Sequence, residues 1–296
     1  MQKQNKAYLF AIIAVLLWST VASAFKISLR YLDFFQLLFF SSFVSIIVLF
    51  CLLLIQHKVH LLKKISKKNI LSSAILGFFN PFLYYLVLLK AYSLLQAQEA
   101  ATLNYIWPIV LVLLSIPLLK QKISFVSLLA ILISFAGIII ISTHGNIFSL
   151  KFSNTLGVCL AVGSAFFWAI FWIFNIKDKR EVISKLFLNF VFGFIYILIV
   201  TLIFSKIEFP VLEGILGVTY LGLFEMGITF VIWLKALKLS TTTAKVSNLI
   251  YIAPFVSLIV IHFAVGEQIR TSTVAGLIFI IGGILLQQFS NKSKIN

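Results

Sequence analysis

Ten apolar runs, each near twenty residues long, follow one another with only short polar connections between them. They cover 7–25, 34–55, 70–89, 97–119, 123–142, 155–174, 186–204, 211–234, 242–265 and 272–289. A helix rising about 1.5 Å per residue needs about 20 residues to cross a hydrocarbon layer about 30 Å thick. Inside lipid there is no water to bond the backbone, so a crossing segment must be a helix or part of a closed barrel. The runs are continuous rather than alternating, which excludes barrel strands. The sequence therefore predicts an all-α membrane protein with ten transmembrane helices. Only 11% of the residues are charged, against about a quarter in soluble domains, so a sizeable soluble domain is not expected.

Sidedness follows from the basic residues. With the N-terminus placed inside, 17 of the 24 lysines and arginines fall in cytoplasmic connections, 6 fall outside, and Lys245 falls within a run. Basic residues gather on the cytoplasmic side of membrane proteins, so both termini are expected in the cytoplasm of a multi-pass protein of the cytoplasmic membrane. A miscounted helix would invert every later loop and spoil this bias. The same asymmetry accounts for the net charge of +16 without nucleic acid as a partner. Ala22-Ser23-Ala24 resembles a signal-peptidase site, but the repeat described next needs the first run as a retained helix. Cys51 and Cys159 lie inside apolar runs, at no metal or disulfide spacing.

The chain resembles itself. Leu88–Tyr92 (LLKAY) reappears 145 residues later as Trp233–Leu237 (WLKAL), and Leu76-Gly77 as Leu221-Gly222. Tyr105–Pro108 (YIWP) reappears as Tyr251–Pro254 (YIAP), Gly137 as Gly283, and Trp18 as Trp168. The order and near-constant offset of these matches define two copies, 1–145 and 150–296, that form one membrane domain. Five crossings are an odd number, so the second copy lies upside down. Such inverted five-helix repeats are expected to meet around a mid-membrane binding site.

The repeat gives meaning to polar groups in greasy surroundings. Glu99, Thr102, Tyr105 and Pro108 map onto Lys245, Asn248, Tyr251 and Pro254, two stripes at a spacing of three. Polar side chains in a spanning helix belong against protein or water rather than lipid, so both stripes are expected to face a central cavity. Purely interhelical hydrogen bonding is the alternative. Each proline leaves the carbonyl four residues earlier without its N–H donor, freeing the carbonyls of Asn104 and Ile250 and favouring a hinge. Glu225 lies deep in the eighth run, with Asn80 as its counterpart 145 residues earlier. A carboxyl at that depth is protonated, paired or facing water. It is a candidate for proton coupling if the carrier is driven, whereas in a facilitator it would only donate a hydrogen bond.

With spans, repeat and motifs together, the chain resembles the drug/metabolite transporter superfamily, specifically its EamA-domain transporters of two five-helix repeats. Leu16–Lys26 (LLWSTVASAFK) looks like the family's first-helix motif. Leu103–Pro108 (LNYIWP) is similar to the fourth-helix motif of the aromatic amino acid exporter branch. Val246–Ile269 matches the ninth helix and the loop after it, with Glu267 at the family's acidic position and Gln121 at its first-half equivalent. The resemblance implies helices 1–4 and 6–9 around a central cavity, with 5 and 10 set apart. It implies a secondary transporter exporting small metabolites, amino acids foremost, by alternating access.

The residues expected to bind substrate are Trp18, Asn80, Glu99, Thr102, Asn104, Tyr105, Trp107, Glu225, Lys245, Asn248 and Tyr251, with Pro108 and Pro254 as hinges. Glu99 and Lys245 are suited to the ammonium and carboxylate of an amino acid, unless they pair with each other. Trp18 and Trp168 have a competing reading as interfacial belt residues. The chain has no P-loop, metal cluster or nucleophile–base constellation, so neither a cofactor nor an enzyme activity is expected. A passive channel or facilitator, or a carrier of drugs, nucleotide precursors or lipid-linked metabolites, fits the same repeat. The expected partners are a small-molecule substrate and the lipid bilayer.

Overall fold

Continuous apolar runs wind into helices, and every regular element among the described residues is helical. The computed structural model describes residues 3–107, 109–110, 113–114, 125–146, 153–240 and 248–292. The helices are α1 (Lys3–Ser28), α2 (Phe34–Ile55), α3 (Lys67–Gly77), α4 (Tyr84–Leu94), α5 (Ala97–Asn104) and α6 (Phe125–Ser142). They continue with α7 (Thr155–Lys177), α8 (Val182–Phe204), α9 (Leu212–Tyr220), α10 (Ile228–Leu239), α11 (Ala253–Val265) and α12 (Thr271–Lys292). A π-helical turn at Phe78–Leu83 joins α3 to α4, and another at Leu221–Glu225 leads from α9 towards α10. Among the described residues, six segments are long and apolar enough to cross a bilayer, including Lys67–Leu94 and Leu212–Ala236 through their π turns. Three shorter apolar helices accompany them, Leu129–Ser142, Ala253–Val265 and Thr271–Leu286.

Helix starts are set by side chains that take up unpaired N–H groups. The Asp33 carboxylate accepts from the N–H groups of Phe35 and Gln36 at the head of α2, and Asn154 accepts from Gly157 at the head of α7. The radial pattern is that of a protein whose surroundings are apolar. Ile55, Phe204, Leu216 and Phe263 point outward, while Ser19, Ser41, Ser42 and Ser45 are buried. Small polar residues serve inside because they let backbones approach closely and can bond across helices. Ser45 Oγ donates to the Gly222 carbonyl at 3.1 Å.

Helix partners cross between the two halves of the chain. α1 packs against α10 and α11, α7 packs against α4 and α5, α2 against α8, and α6 against α12. Close approach at glycine sets two further contacts between the halves. A methyl at Gly77 would collide with the Asn189 carbonyl and the Gly193 nitrogen on α8, and a methyl at Gly222 would sit 2.8 Å from the Ser41 carbonyl on α2. Gly163, by contrast, has open space where its Cβ would be.

One end of the bundle carries the charged side chains that tie the connections together. Lys58 Nζ lies 2.8 Å from Glu181 Oε1, joining the α2–α3 connection to the head of α8. Arg180 grips Asp178 at 2.6 Å and also donates to the Asn69 carbonyl and Ser73 Oγ. Burial works to raise the pKa of Asp178, but hydrogen bonds from Arg180 outweigh it and hold it below the ordinary 3.8. For Glu181 burial likewise pushes up, and the bonds from Lys58 and the Ser184 N–H win, keeping it below 4.5.

Two outcomes follow for the purified protein. Gly77→Ala and Gly222→Ala should each lower the melting temperature, since forcing a methyl into packed backbone costs about 1–3 kcal/mol, whereas Gly163→Ala should leave it unchanged or raise it. Carboxyls with lowered folded pKa values stabilise above their unfolded values and lose that contribution as pH falls through the folded ones. The melting temperature should therefore hold down to the ordinary carboxylate range and drop below it. Asp178→Asn should flatten part of that drop, and thermal scans across acid pH check this.

Candidate functional site

Both π turns break a spanning helix at equivalent places in the repeat. In the second half the Met226 N–H reaches back five residues to the Leu221 carbonyl, and Thr229 Oγ1 donates to the Phe224 carbonyl. The turn sets Glu225 into the protein interior, where it is 5% exposed and accepts from the Tyr85 hydroxyl at 2.8 Å. In the first half Asn80 takes extended angles (φ −150°, ψ 121°) within the turn, and its side chain is fully buried.

Between the two halves lies a cavity of about 460 Å³, within the range of about 300–1,000 Å³ usual for small-molecule sites. α1, α4, the α5 region and Trp107 form one part of its wall, and α7, Glu225, α10 and the start of α11 form the rest. All five tryptophans of the chain line it: Trp18, Trp107, Trp168, Trp172 and Trp233. Trp18, Trp168, Trp172 and Trp233 pack on each other and on neighbouring rings, mostly at the tilted and edge-on angles that ring quadrupoles favour. Trp18 lies 5.4 Å from Trp233, and Trp168 lies 4.6 Å from Tyr84 and 5.7 Å from Trp172, centroid to centroid.

Of the residues singled out from sequence, Trp18, Asn104, Tyr105, Trp107, Glu225 and Pro254 are brought together on this wall. Asn104 is held from both sides: its Nδ2 donates to Ser164 Oγ at 2.8 Å and its Oδ1 accepts from the Tyr84 hydroxyl at 3.3 Å. Tyr105 bridges the halves by donating its hydroxyl to the Ile250 carbonyl at 2.9 Å. That carbonyl is the one the sequence expects Pro254 to free, four residues on. Pro254 does not kink a continuous helix: it sits in the first turn of α11, after a 3₁₀ turn at Asn248–Ile252, where a missing N–H costs nothing.

Other expected residues stand elsewhere. Glu99 is 2% exposed and outside the wall. One oxygen lies 2.7 Å from His144 Nε2, and the other accepts from the Gln96 N–H as part of a capping box at the head of α5. Thr102 turns its hydroxyl back to the Gln98 carbonyl at 2.7 Å. A spacing of three advances about 300° around a helix, so such a stripe drifts about 60° per step and does not hold one face. The cavity takes Ala101, Asn104 and Tyr105, the i, i+3, i+4 face. Asn80 is packed away from the cavity, both its amide atoms buried without a hydrogen-bond partner. Lys245 and Pro108 lie outside the described residues, as do the side chains of Asn248 and Tyr251. The run expected as one helix over 97–119 already breaks where α5 ends at Asn104.

Sequence reasoning passed over Trp172, Trp233, Tyr84 and Tyr92, all on the wall. Trp233 and Trp168 both carried a signal, since Trp233 opens the repeated WLKAL and Trp168 is the repeat mate of Trp18. Glu267 acts at the end of the bundle opposite the charged pairs. Its carboxylate accepts from the Ala97 and Gln98 N–H groups at 2.8 and 3.2 Å, completing the start of α5, where the helix dipole favours negative charge. Nearby Lys26 Nζ donates to the carbonyls of Tyr92 and Leu95 at the finish of α4, at 2.9 and 2.5 Å.

Comparison with known proteins agrees with this architecture. The model of the EamA-like transporter family matches residues 5–143 and again residues 155–287. An uncharacterized transporter of Clostridium kluyveri is 25% identical over 97% of this chain and 94% of its own length. An uncharacterized transporter of Acidianus ambivalens is 29% identical over 69% of this chain and 81% of its own. A solved crystal structure superposes with a TM-score of 0.68, covering 96% of this chain and 97% of the other at 20% identity, a likeness of fold alone.

The Tyr105 hydroxyl gives the sharpest local test. Tyr105→Phe leaves the Ile250 carbonyl without that donor, and losing one such hydrogen bond costs about 0.5–1.5 kcal/mol. Thermal unfolding should show a lowered melting temperature.

Proposed function

The chain belongs to the EamA-like transporter family, and we propose that it is a secondary transporter carrying small amphipathic metabolites, amino acids or the amines related to them, out across the cytoplasmic membrane. The observation that carries the reading is one cavity whose wall is shared by both halves of a repeated chain. A site at such a seam is exposed to one side or the other when the halves rock against each other. In this reading the ten spans form two inverted five-helix repeats with both termini cytoplasmic. The exchange of partners supports it: α1 of the first half with α10 and α11 of the second is mirrored by α7 of the second half with α4 and α5 of the first.

An aromatic wall suits a substrate with a ring or other apolar body, in keeping with the LNYIWP motif of the aromatic amino acid exporter branch. Glu99 leaves the list of substrate contacts, since His144 and the α5 cap occupy it. Asn248, Tyr251 and Lys245 belong to the same region of the second half by the repeat, and Pro108 and Pro254 are the hinges of this reading.

Proteoliposome counterflow tests the mechanism. Uptake of a labelled aromatic amino acid or amine should saturate and be accelerated by unlabelled substrate on the far side. A channel shows neither. Trp18→Ala and Tyr105→Ala should each cut the rate at least tenfold, and unchanged kinetics in both would remove the cavity from the transport path. Topology is checked after replacing the exposed Cys51 and Cys159 by serine. Single cysteines in the 56–69 and 143–154 connections should then label from opposite faces of the membrane.

A further inference from the structure

The chemistry of the cavity is lopsided. Five indoles and three phenols, those of Tyr84, Tyr92 and Tyr105, stand around it. Glu225 is the one charged side chain of the wall among the described residues. Fully buried Tyr85 donates to its Oε1 at 2.8 Å, while Oε2 is buried with no hydrogen-bond partner. The Trp18 indole lines the same wall. A polar atom left this way is costly. The group that would satisfy it best is a charged N–H donor, because charge-assisted bonds are the strong ones.

Aromatic faces complete the same preference. Each ring presents negative charge on its face, which attracts a desolvated cation and tolerates the apolar body attached to it. A carboxylate brought into the same cavity finds the reverse. The Asn104 amide is already bonded to Ser164 and Tyr84, and no lysine or arginine is on the described wall. An anion buried without a counter-charge is strongly disfavoured.

We propose that the cavity selects an organic monocation: a primary amine on an aromatic or apolar body, without a carboxylate of its own, its ammonium held by Glu225 and its body by the indoles. This rests on the reading of the cavity as the substrate site and narrows the substrate from amino acids and amines to amines. Tyr85 is the positioning residue, fixing one carboxylate oxygen and leaving the other for the ligand.

Because all five tryptophans line the cavity, intrinsic fluorescence reads its occupancy directly. Wild-type protein in lipid nanodiscs would be titrated at neutral pH with three probes that share one ring and differ in charge: phenethylamine, L-phenylalanine and 3-phenylpropionate. Phenethylamine is expected to bind at least tenfold more tightly than the other two. Glu225→Gln should erase that margin, and Glu225→Asp should keep part of it. Binding of L-phenylalanine as tight as that of phenethylamine, or a margin that survives Glu225→Gln, would overturn the proposal while leaving the cavity as the binding site. If no probe changes the emission, the cavity reading falls together with it. The wild-type comparison stands alone should a Glu225 variant fail to fold.

Discussion

A backbone surrounded by lipid must bond to itself, and the architecture follows from where this chain stops doing so. Its spanning helices are interrupted at Phe78–Leu83, at Leu221–Glu225, after Asn104 and, in the second half, at Asn248–Ile252. Facing hydrocarbon, each break would strand polar groups at several kcal/mol apiece. Here protein covers them. Tyr105 supplies the donor for Ile250, and the π turns carry their bonds back five residues. Breaks of this kind converge on the interior, and the interior is where the cavity lies.

The cavity has an apolar wall because rings meet there from both halves, and among the described residues it has one acidic group because one π turn carries Glu225 where the other carries Asn80. The equivalent turns are thus put to different uses. Asn80 is sealed into packing beside α8, near the close contact at Gly77, whereas Glu225 reaches the wall. A repeated fold with unequal copies is how a symmetric frame acquires an asymmetric site.

Much of this was legible in the sequence, for identifiable reasons. Apolar run length and the backbone's need for partners dictated helices, and a helical counterpart stands in each run except where the description is partial. Tyr105, Trp107, Trp18 and Glu225, which line the cavity, stood out in the sequence because each was a polar or aromatic departure within a spanning run or its motif. Glu99 and Thr102 stand off the cavity wall because a stripe at a spacing of three drifts off a helical face, and because a carboxyl near a helix start serves its own cap first. The π turns were not legible: one extra residue per turn leaves no mark on hydropathy. Trp172 and Tyr84 were missed for a related reason, since an aromatic in an apolar run looks the same whether it meets lipid or a cavity.

The exchange of helices between halves bears on how the protein is made. α1 leaves the ribosome first, yet its main partners are α10 and α11, which begin at Ile228 and Ala253. At roughly 5–20 residues per second, α1 waits on the order of 10–40 s for the first of them. During that interval Ser19, Ser23 and Lys26 sit in a helix without its mature neighbours on every side. Assembly of the first half is therefore provisional, and the finished protein is a pair of interlocked halves rather than two modules laid side by side. Each half, expressed alone, would present an unfilled groove shaped for the other's first helix.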